Sequence, residues 1–224
     1  MCGKDILTER EEMEKNKQAE PPEWAWEFHG HRCPFMPIGY LMGMIGLREL
    51  GMERVKDHGA IVLSEMGVGH PQTCMMDGAM VATGCTYGKL MMERLNYGKV
   101  AFILHAPGKG TVRIYLRSEF QDELGKEEFF AYRKRGVEPS DIPAEVTERA
   151  VRMVLETPED RMFKIERLAD FAFSRPKGSF AKVKCSKCEE YAFERYVRTV
   201  EGKPVCIPCS GYKESRLDAL KGMQ

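Results

Sequence analysis

Long apolar runs are missing from this 224-residue chain: nowhere do roughly eighteen or more apolar residues follow one another, which excludes an ordinary membrane-spanning helix. Excess charge is missing too. The 34 basic and 34 acidic side chains cancel, so no global field draws the protein to nucleic acid or to an anionic membrane. The first residues, MCGKDILTEREEMEKNKQAEPP, carry charges where a secretion signal has its apolar centre, and the expected location is cytoplasmic. There is no internal repeat. Eight cysteines are present, however, and in a reducing compartment they point to metal ligands or reactive thiols before disulfides.

The length exceeds what one compact core usually needs, and the composition divides it. A charged arm spans 1–22 and ends at Pro21-Pro22. A core domain is expected over 23–172, a polar linker containing FSRPKGS over 173–181, and a small module over 182–224. Within the core, Ile38, Leu41, Met42 and Ile45 recur at helical spacing after Pro34, and Gly51 supplies the stop. Gly39, Gly43 and Gly46 share a face of that helix. Each costs about 1 kcal/mol against alanine, so another backbone is expected close by, that of a partner subunit being one possibility. GAIVLSEM at 59–66 reads as a buried strand, and a second helix is expected over 77–82. Alternation at 100–104 and 112–116 about APGKG predicts a hairpin with one wet face. Helices are expected around 119–135 and 143–156, the latter capped by Ser140 or Asp141. The mixed order of elements gives an α+β fold, a sheet packed by helices, with the small module appended.

That module carries the stronger motif. Cys185-Ser-Lys-Cys188 and Cys206-Ile-Pro-Cys209 are two C-x-x-C pairs, the spacing of a tetrahedral four-thiolate zinc site with no open position. AFERYVRTVEGKPV between them reads as a hairpin turning at Gly202, and SGYKESRLDALKG after them reads as helical, which suggests a zinc-ribbon or treble-clef-like finger. So few residues cannot bury a core, and metal must supply much of the folding free energy.

The second candidate is His29-Gly-His31-Arg-Cys33-Pro34 at a helix start, where unpaired amides and the helix dipole favour a thiolate. His31 and Cys33, two apart in an extended segment, can face one ion, with Cys33 as thiolate and His31 as ligand or base if the site is catalytic. A third ligand must come from elsewhere. Cys85 is expected in that role with an exchangeable position left open; Cys74 is the rival, His29 enters if the loop turns back on itself, and His70 and His105 stand further behind. The ion expected is zinc or another late transition metal. Asp77 either orients a histidine ligand or caps a helix, and the clustered methionines read as core filling.

FHGHRCP at 28–34, Glu65 of LSEM, CMMDGAM at 74–80, TGCTYGK at 83–89 and NYGKVAF at 96–102, with the cysteine module behind them, resemble the FmdE-like family of formylmethanofuran dehydrogenase. The resemblance implies an α+β core that forms homodimers, a metal site near the HGHxC motif, and association with molybdenum- or tungsten-dependent one-carbon metabolism in methanogens and other anaerobes, with a molybdenum or tungsten enzyme as a partner. A non-catalytic accessory, metal-sensing or regulatory protein, whose finger docks a protein or nucleic acid, is the alternative; neutral charge speaks against nucleic acid. The chain departs from the family pattern at Phe35, Met80, the GKLMM segment at 88–92, and Glu189, where glycine is usual.

Overall fold

A computed structural model describes residues 19–174 and 178–212. The chain divides between Phe171 and Ala172 into two compact units. The expected charged arm lies, apart from residues 19–22, outside the described residues, as does most of the helix expected after Cys209.

The larger unit begins with α1 (Glu23–His29) and α2 (Phe35–Glu49), followed by β1 (Ile61–Ser64), α3 (Cys74–Thr83), β2 (Met92–Arg94), β3 (Ala101–Ala106) and β4 (Gly110–Leu116). It continues with α4 (Ser118–Leu124), α5 (Glu128–Lys134), α6 (Ala144–Glu156), α7 (Glu159–Met162) and β5 (Phe163–Arg167). The five strands form one sheet in the order β2-β1-β3-β4-β5, in which β1 and β2 run parallel and the other neighbours antiparallel. This is the α+β arrangement expected. The β3–β4 hairpin keeps the register that its alternation implies, Leu104 opposite Val112 and Ala106 opposite Gly110. Its wet face is narrower than the alternation suggests, because Ile103 is buried beside the more exposed Arg113 and Tyr115.

The close backbone approach expected at the glycine face is made within the chain. A Cβ on Gly39 would lie 1.8 Å from the Met75 carbonyl oxygen, and one on Gly78 of the facing helix 2.0 Å from the Met36 carbonyl oxygen. Gly43 faces Ala82 and Gly46 faces Leu104 and Ile114, so α2 is pressed on one side against α3 and on another against the sheet. The glycines therefore offer no surface to a partner subunit. The single helix expected over 119–135 is two helices, broken at Gly125, which lets Phe120, Leu124 and Phe129 all reach the core. Ser140 and Asp141 do not cap α6; they lie in a 3₁₀ turn, and Pro143 occupies the cap position without a side-chain hydrogen bond. Strands β2 and β5 and helix α1 are additional to the expected elements. On the polar face of the sheet, Arg113 grips buried Glu65 through Nε (2.6 Å) and Nη2 (2.9 Å) and reaches Glu166 at 2.8 Å, which satisfies a carboxylate that would be costly to bury alone.

The smaller unit contains two hairpins, β6 (Lys182–Lys184) with β7 (Tyr191–Phe193) and β8 (Val197–Val200) with β9 (Lys203–Cys206), then a single turn of helix, α8 (Ile207–Ser210). Val200 pairs with Lys203 across Glu201 and Gly202, both at positive φ (51° and 74°), which is the two-residue turn that suits strand twist. Glu189 has φ 64°, the conformation that explains why glycine is usual there and that this chain asks of a glutamate. Among its described residues only Cys185 and Val205 are buried apolar side chains, too few for an independent core.

Candidate metal centres

Helix α1 ends at His29, and Gly30 (φ 89°) caps it in the left-handed region with its amide on the Trp26 carbonyl at 2.8 Å. The chain doubles back there. Cys33 is returned beneath His29, Sγ to Nε2 3.6 Å, and the His29 and His31 ring centroids lie 4.3 Å apart. The chain bends at Gly30 and His31, and the condition under which His29 joins the site is met. Arg32 pins the turn: its guanidinium stands 4.4 Å over Trp26, and Nε donates to Glu148 at 3.1 Å.

Cys33 lies just before α2, where the amides of Phe35 and Met36 point at its sulfur. Cys74 opens α3, and the glycine contact between α2 and α3 carries it to the same spot. Donor atoms of His29, His31, Cys33 and Cys74 all lie within 4.8 Å of one another, a group that can hold a metal ion. Cys85 is not among them. It follows the far end of α3, whose ten residues span about 15 Å, and it is buried with its amide on the Thr83 hydroxyl. The glycine beside it serves packing: a Cβ on Gly84 would lie 2.1 Å from the Val55 carbonyl oxygen. His70 and His105 are also outside the group; His70 Nδ1 accepts the Gln72 amide, and His105 Nδ1 is 2.8 Å from the Thr111 hydroxyl.

Two observations test whether the group suits an ion. His31 Nε2 is buried without a hydrogen-bond partner, an orphan that a metal would satisfy. His29 Nδ1 is 2.8 Å from Asp77 Oδ2, the outer carboxylate that fixes a ligating imidazole and leaves Nε2 facing the sulfurs. Asp77 is one turn along α3 from Cys74, so the i, i+3 spacing in CMMD was the signal in the sequence for both. The electrostatics reverse one expectation: the thiol held ionised is that of Cys74, not that of Cys33 at the start of α2. The Cys33 thiol, hydrogen-bonded to Cys74, holds Cys74 as a thiolate down to about 4, and His29 adds to this against the opposing effect of burial. That same bond and burial hold Cys33 protonated well above the usual thiol range. Burial disfavours the charged form of His29, but Asp77 and Cys74 together outweigh it and raise its pKa to about 9.

The cluster lies between two clefts. One, of about 300 Å³, is bordered by His29, Cys74, Met80, Tyr87 and Arg94; the other, of about 530 Å³, opens on His31, Arg32 and the start of α6. Of the methionines, Met36, Met42, Met66, Met75, Met91 and Met92 are fully buried, which is the core-filling role expected.

In the smaller unit Cys185, Cys188, Cys206 and Cys209 likewise bring their sulfurs within 4.8 Å of one another, Cys188 and Cys206 at 3.8 Å. The amides of Lys187 and Cys206 point at Cys185 Sγ, both at 3.4 Å. Amide hydrogen bonds from Cys188 in its own knuckle and then from Cys206 lower the Cys185 pKa to about 6, while side-chain hydrogen bonds to Cys206 and Cys188 push Cys209 up to about 12.

Together these features define an α+β protein with one two-histidine, two-cysteine group in its sheet-containing unit and one four-cysteine group in a small appended unit, both able to hold metal ions. Comparison with known proteins gives the family. The family described as "FmdE, Molybdenum formylmethanofuran dehydrogenase operon" matches residues 28–164, and the chain belongs to it. A "Probable S-adenosyl-L-methionine-binding protein" of Archaeoglobus fulgidus is 32% identical over 197 residues, 84% of this chain and 51% of that protein, so the chain spans about half the length of this relative. The crystal structure of a tungsten formylmethanofuran dehydrogenase FmdE-like protein from Syntrophus aciditrophicus shares the fold, with a TM-score of 0.52 at 20% identity, covering 94% of this chain and 97% of that one. No helix among the described residues is long and apolar enough to cross a membrane.

Proposed function

We propose that the protein is a metal-binding FmdE-like protein of anaerobic one-carbon metabolism, with a resident zinc or other late transition-metal ion on His29, His31, Cys33 and Cys74 and a structural zinc on Cys185, Cys188, Cys206 and Cys209. The observation that carries this reading is the convergence of two thiols and two imidazoles from two helix starts and one turn, with His31 Nε2 buried and otherwise unpartnered. Imidazole and thiolate together suit zinc and its neighbours. Four protein donors also fill a tetrahedron, so His31 and Cys33 serve as ligands, and the open position expected for water is taken by a side chain. This favours a centre that retains its metal over a hydrolytic one. The family membership supports the metabolic setting, and it alone now supports a homodimer and a molybdenum or tungsten enzyme as partner.

Metal analysis tests the ligand set. Two zinc equivalents per chain are expected in the wild type, about one in Cys33→Ser, Cys74→Ser and Cys206→Ser, and two in Cys85→Ser. A core that keeps its metal in both Cys33→Ser and Cys74→Ser would refute the site. The Archaeoglobus relative's name adds S-adenosyl-L-methionine as a small molecule to test by equilibrium dialysis; saturable retention by the wild-type chain supports that ligand, and none removes it.

A second reading is a non-catalytic docking protein. Tyr191, Phe193, Tyr196 and Tyr212 are exposed on the small unit, Tyr191 by 72%, and aromatic side chains on a surface are the usual anchors of a protein interface. Under this reading the core ion is structural or sensed, and the finger recruits the partner.

A further inference from the structure

Four protein donors leave the core centre no position for a bound water, so the atoms it can offer a reactant are its own sulfurs. The two sulfurs differ in access. Cys33 is exposed by only 1% and borders neither cleft beside the cluster, whereas Cys74 is half-buried and borders the cleft of about 300 Å³. Met76, Met80 and Met92 line that cleft with soft, polarizable thioethers, and the Tyr87 ring stands beside them. Two apart on β2, Met92 and Arg94 leave the strand on the same side, which brings the Arg94 guanidinium to the cleft as well. Of the charged groups there, Asp77 already holds His29 at 2.8 Å, while Arg94 has no ion pair among the described residues.

We propose that Cys74 is an alkyl acceptor: its thiolate attacks, from this cleft, the electrophilic carbon of a small alkyl compound with an anionic end, a step that rests on the metal reading of the cluster. The thiolate and not the thiol is the nucleophile, and coordination keeps a ligating sulfur ionised at neutral pH. The bond from Cys74 Sγ to the carbon forms as the bond from that carbon to its leaving group breaks. The electron pair departs with the leaving group as an anion, so no proton moves and no oxidant is required. Cys74 passes from thiolate to neutral thioether. The methionine and tyrosine surfaces receive the alkyl portion, and Arg94 receives the anionic end. A large donor fits poorly, because about 300 Å³ is the small end of the range for ligand clefts. Cys33, closed off from the cleft, serves as a ligand only.

The test is alkylation of the full chain, its zinc content measured first, with bromoacetamide and bromoacetate as neutral and anionic probes and adducts mapped peptide by peptide. With either probe Cys74 is expected to react at least about tenfold faster than buried Cys33 or exposed Cys188. Arg94→Met is expected to slow bromoacetate at Cys74 about three- to fivefold and to leave bromoacetamide unchanged, the size of effect one exposed charge exerts. Met80→Trp, which narrows the cleft, is expected to slow both probes at least about tenfold with zinc content unchanged. Arg94 is exposed, so its variant reports even where Met80→Trp folds poorly. Equal rates at Cys74 and Cys188, or wild-type rates at Cys74 in both folded variants, overturn the proposal, and two zinc equivalents in those samples leave the metal reading standing. A wild-type chain holding only the small unit's equivalent overturns both.

Discussion

His29 has one ring nitrogen committed to Asp77 at 2.8 Å and the other 3.6 Å from the Cys33 sulfur. An imidazole so held presents a fixed face to its neighbours, and against the lowering effect of burial the Asp77 carboxylate, with Cys74, raises its pKa to about 9. Asp77→Asn keeps the shape and removes the charge. The His29 pKa is expected to fall in this variant, read by NMR titration of the metal-free protein, and zinc affinity, read by chelator competition, is expected to drop about 10- to 100-fold. The sign for stability follows from linkage: because the folded pKa lies above the unfolded value of about 6.5, the advantage of metal-free wild type over Asp77→Asn is complete below about pH 6.5 and disappears as the pH rises through about 9. An unchanged His29 titration together with unchanged zinc affinity would remove Asp77 from the site.

Helices α2 and α3 set the distance between Cys33 and Cys74, and they do so through glycines. With a Cβ on Gly39 only 1.8 Å from a backbone oxygen, no rotamer change relieves the clash, and the helices must move apart. Gly39→Ala is therefore expected to destabilise the core by more than about 3 kcal/mol in urea denaturation, although alanine favours an isolated helix by about 1 kcal/mol. Loss of stability with no change of mass in light scattering is the outcome expected from internal packing. A stable monomer replacing a dimer would instead return the glycine face to a subunit interface. Helix α2 was legible in the sequence because Ile38, Leu41, Met42 and Ile45 recur at helical spacing, although in the structure the helix is buried around most of its circumference; β2 was not, since three residues give no period to read.

On the scale of the whole molecule, the two units differ in what holds them together. The larger has a continuous apolar core built on five strands and seven helices among the described residues, whereas the smaller has two short hairpins and four converging sulfurs. Cys206→Ser is expected to abolish the amide protection of residues 182–212 in hydrogen exchange while that of β3 and β4 remains, because only the smaller unit depends on metal for its free energy. Equal protection of both units in the variant would show that the hairpins stand without an ion.

The convergence of the four cysteines of the small unit, the hairpin between their pairs, the α+β class and the seat of the core cluster at HGHRCP were all determined by sequence, since each rests on neighbours within a few residues: paired thiols at fixed spacing, alternation about a glycine turn, and two histidines and a cysteine at a helix start. Which further side chains join the core cluster was decided by tertiary structure alone. Cys74 and Cys85 are both cysteines in motifs of similar kind, but they stand at opposite ends of α3, and only the direction in which that helix packs on α2 determines which of them meets Cys33. The hydrogen bond of His29 to Asp77 has the same origin: it is a relation between segments far apart in the chain, set by packing that no local pattern encodes.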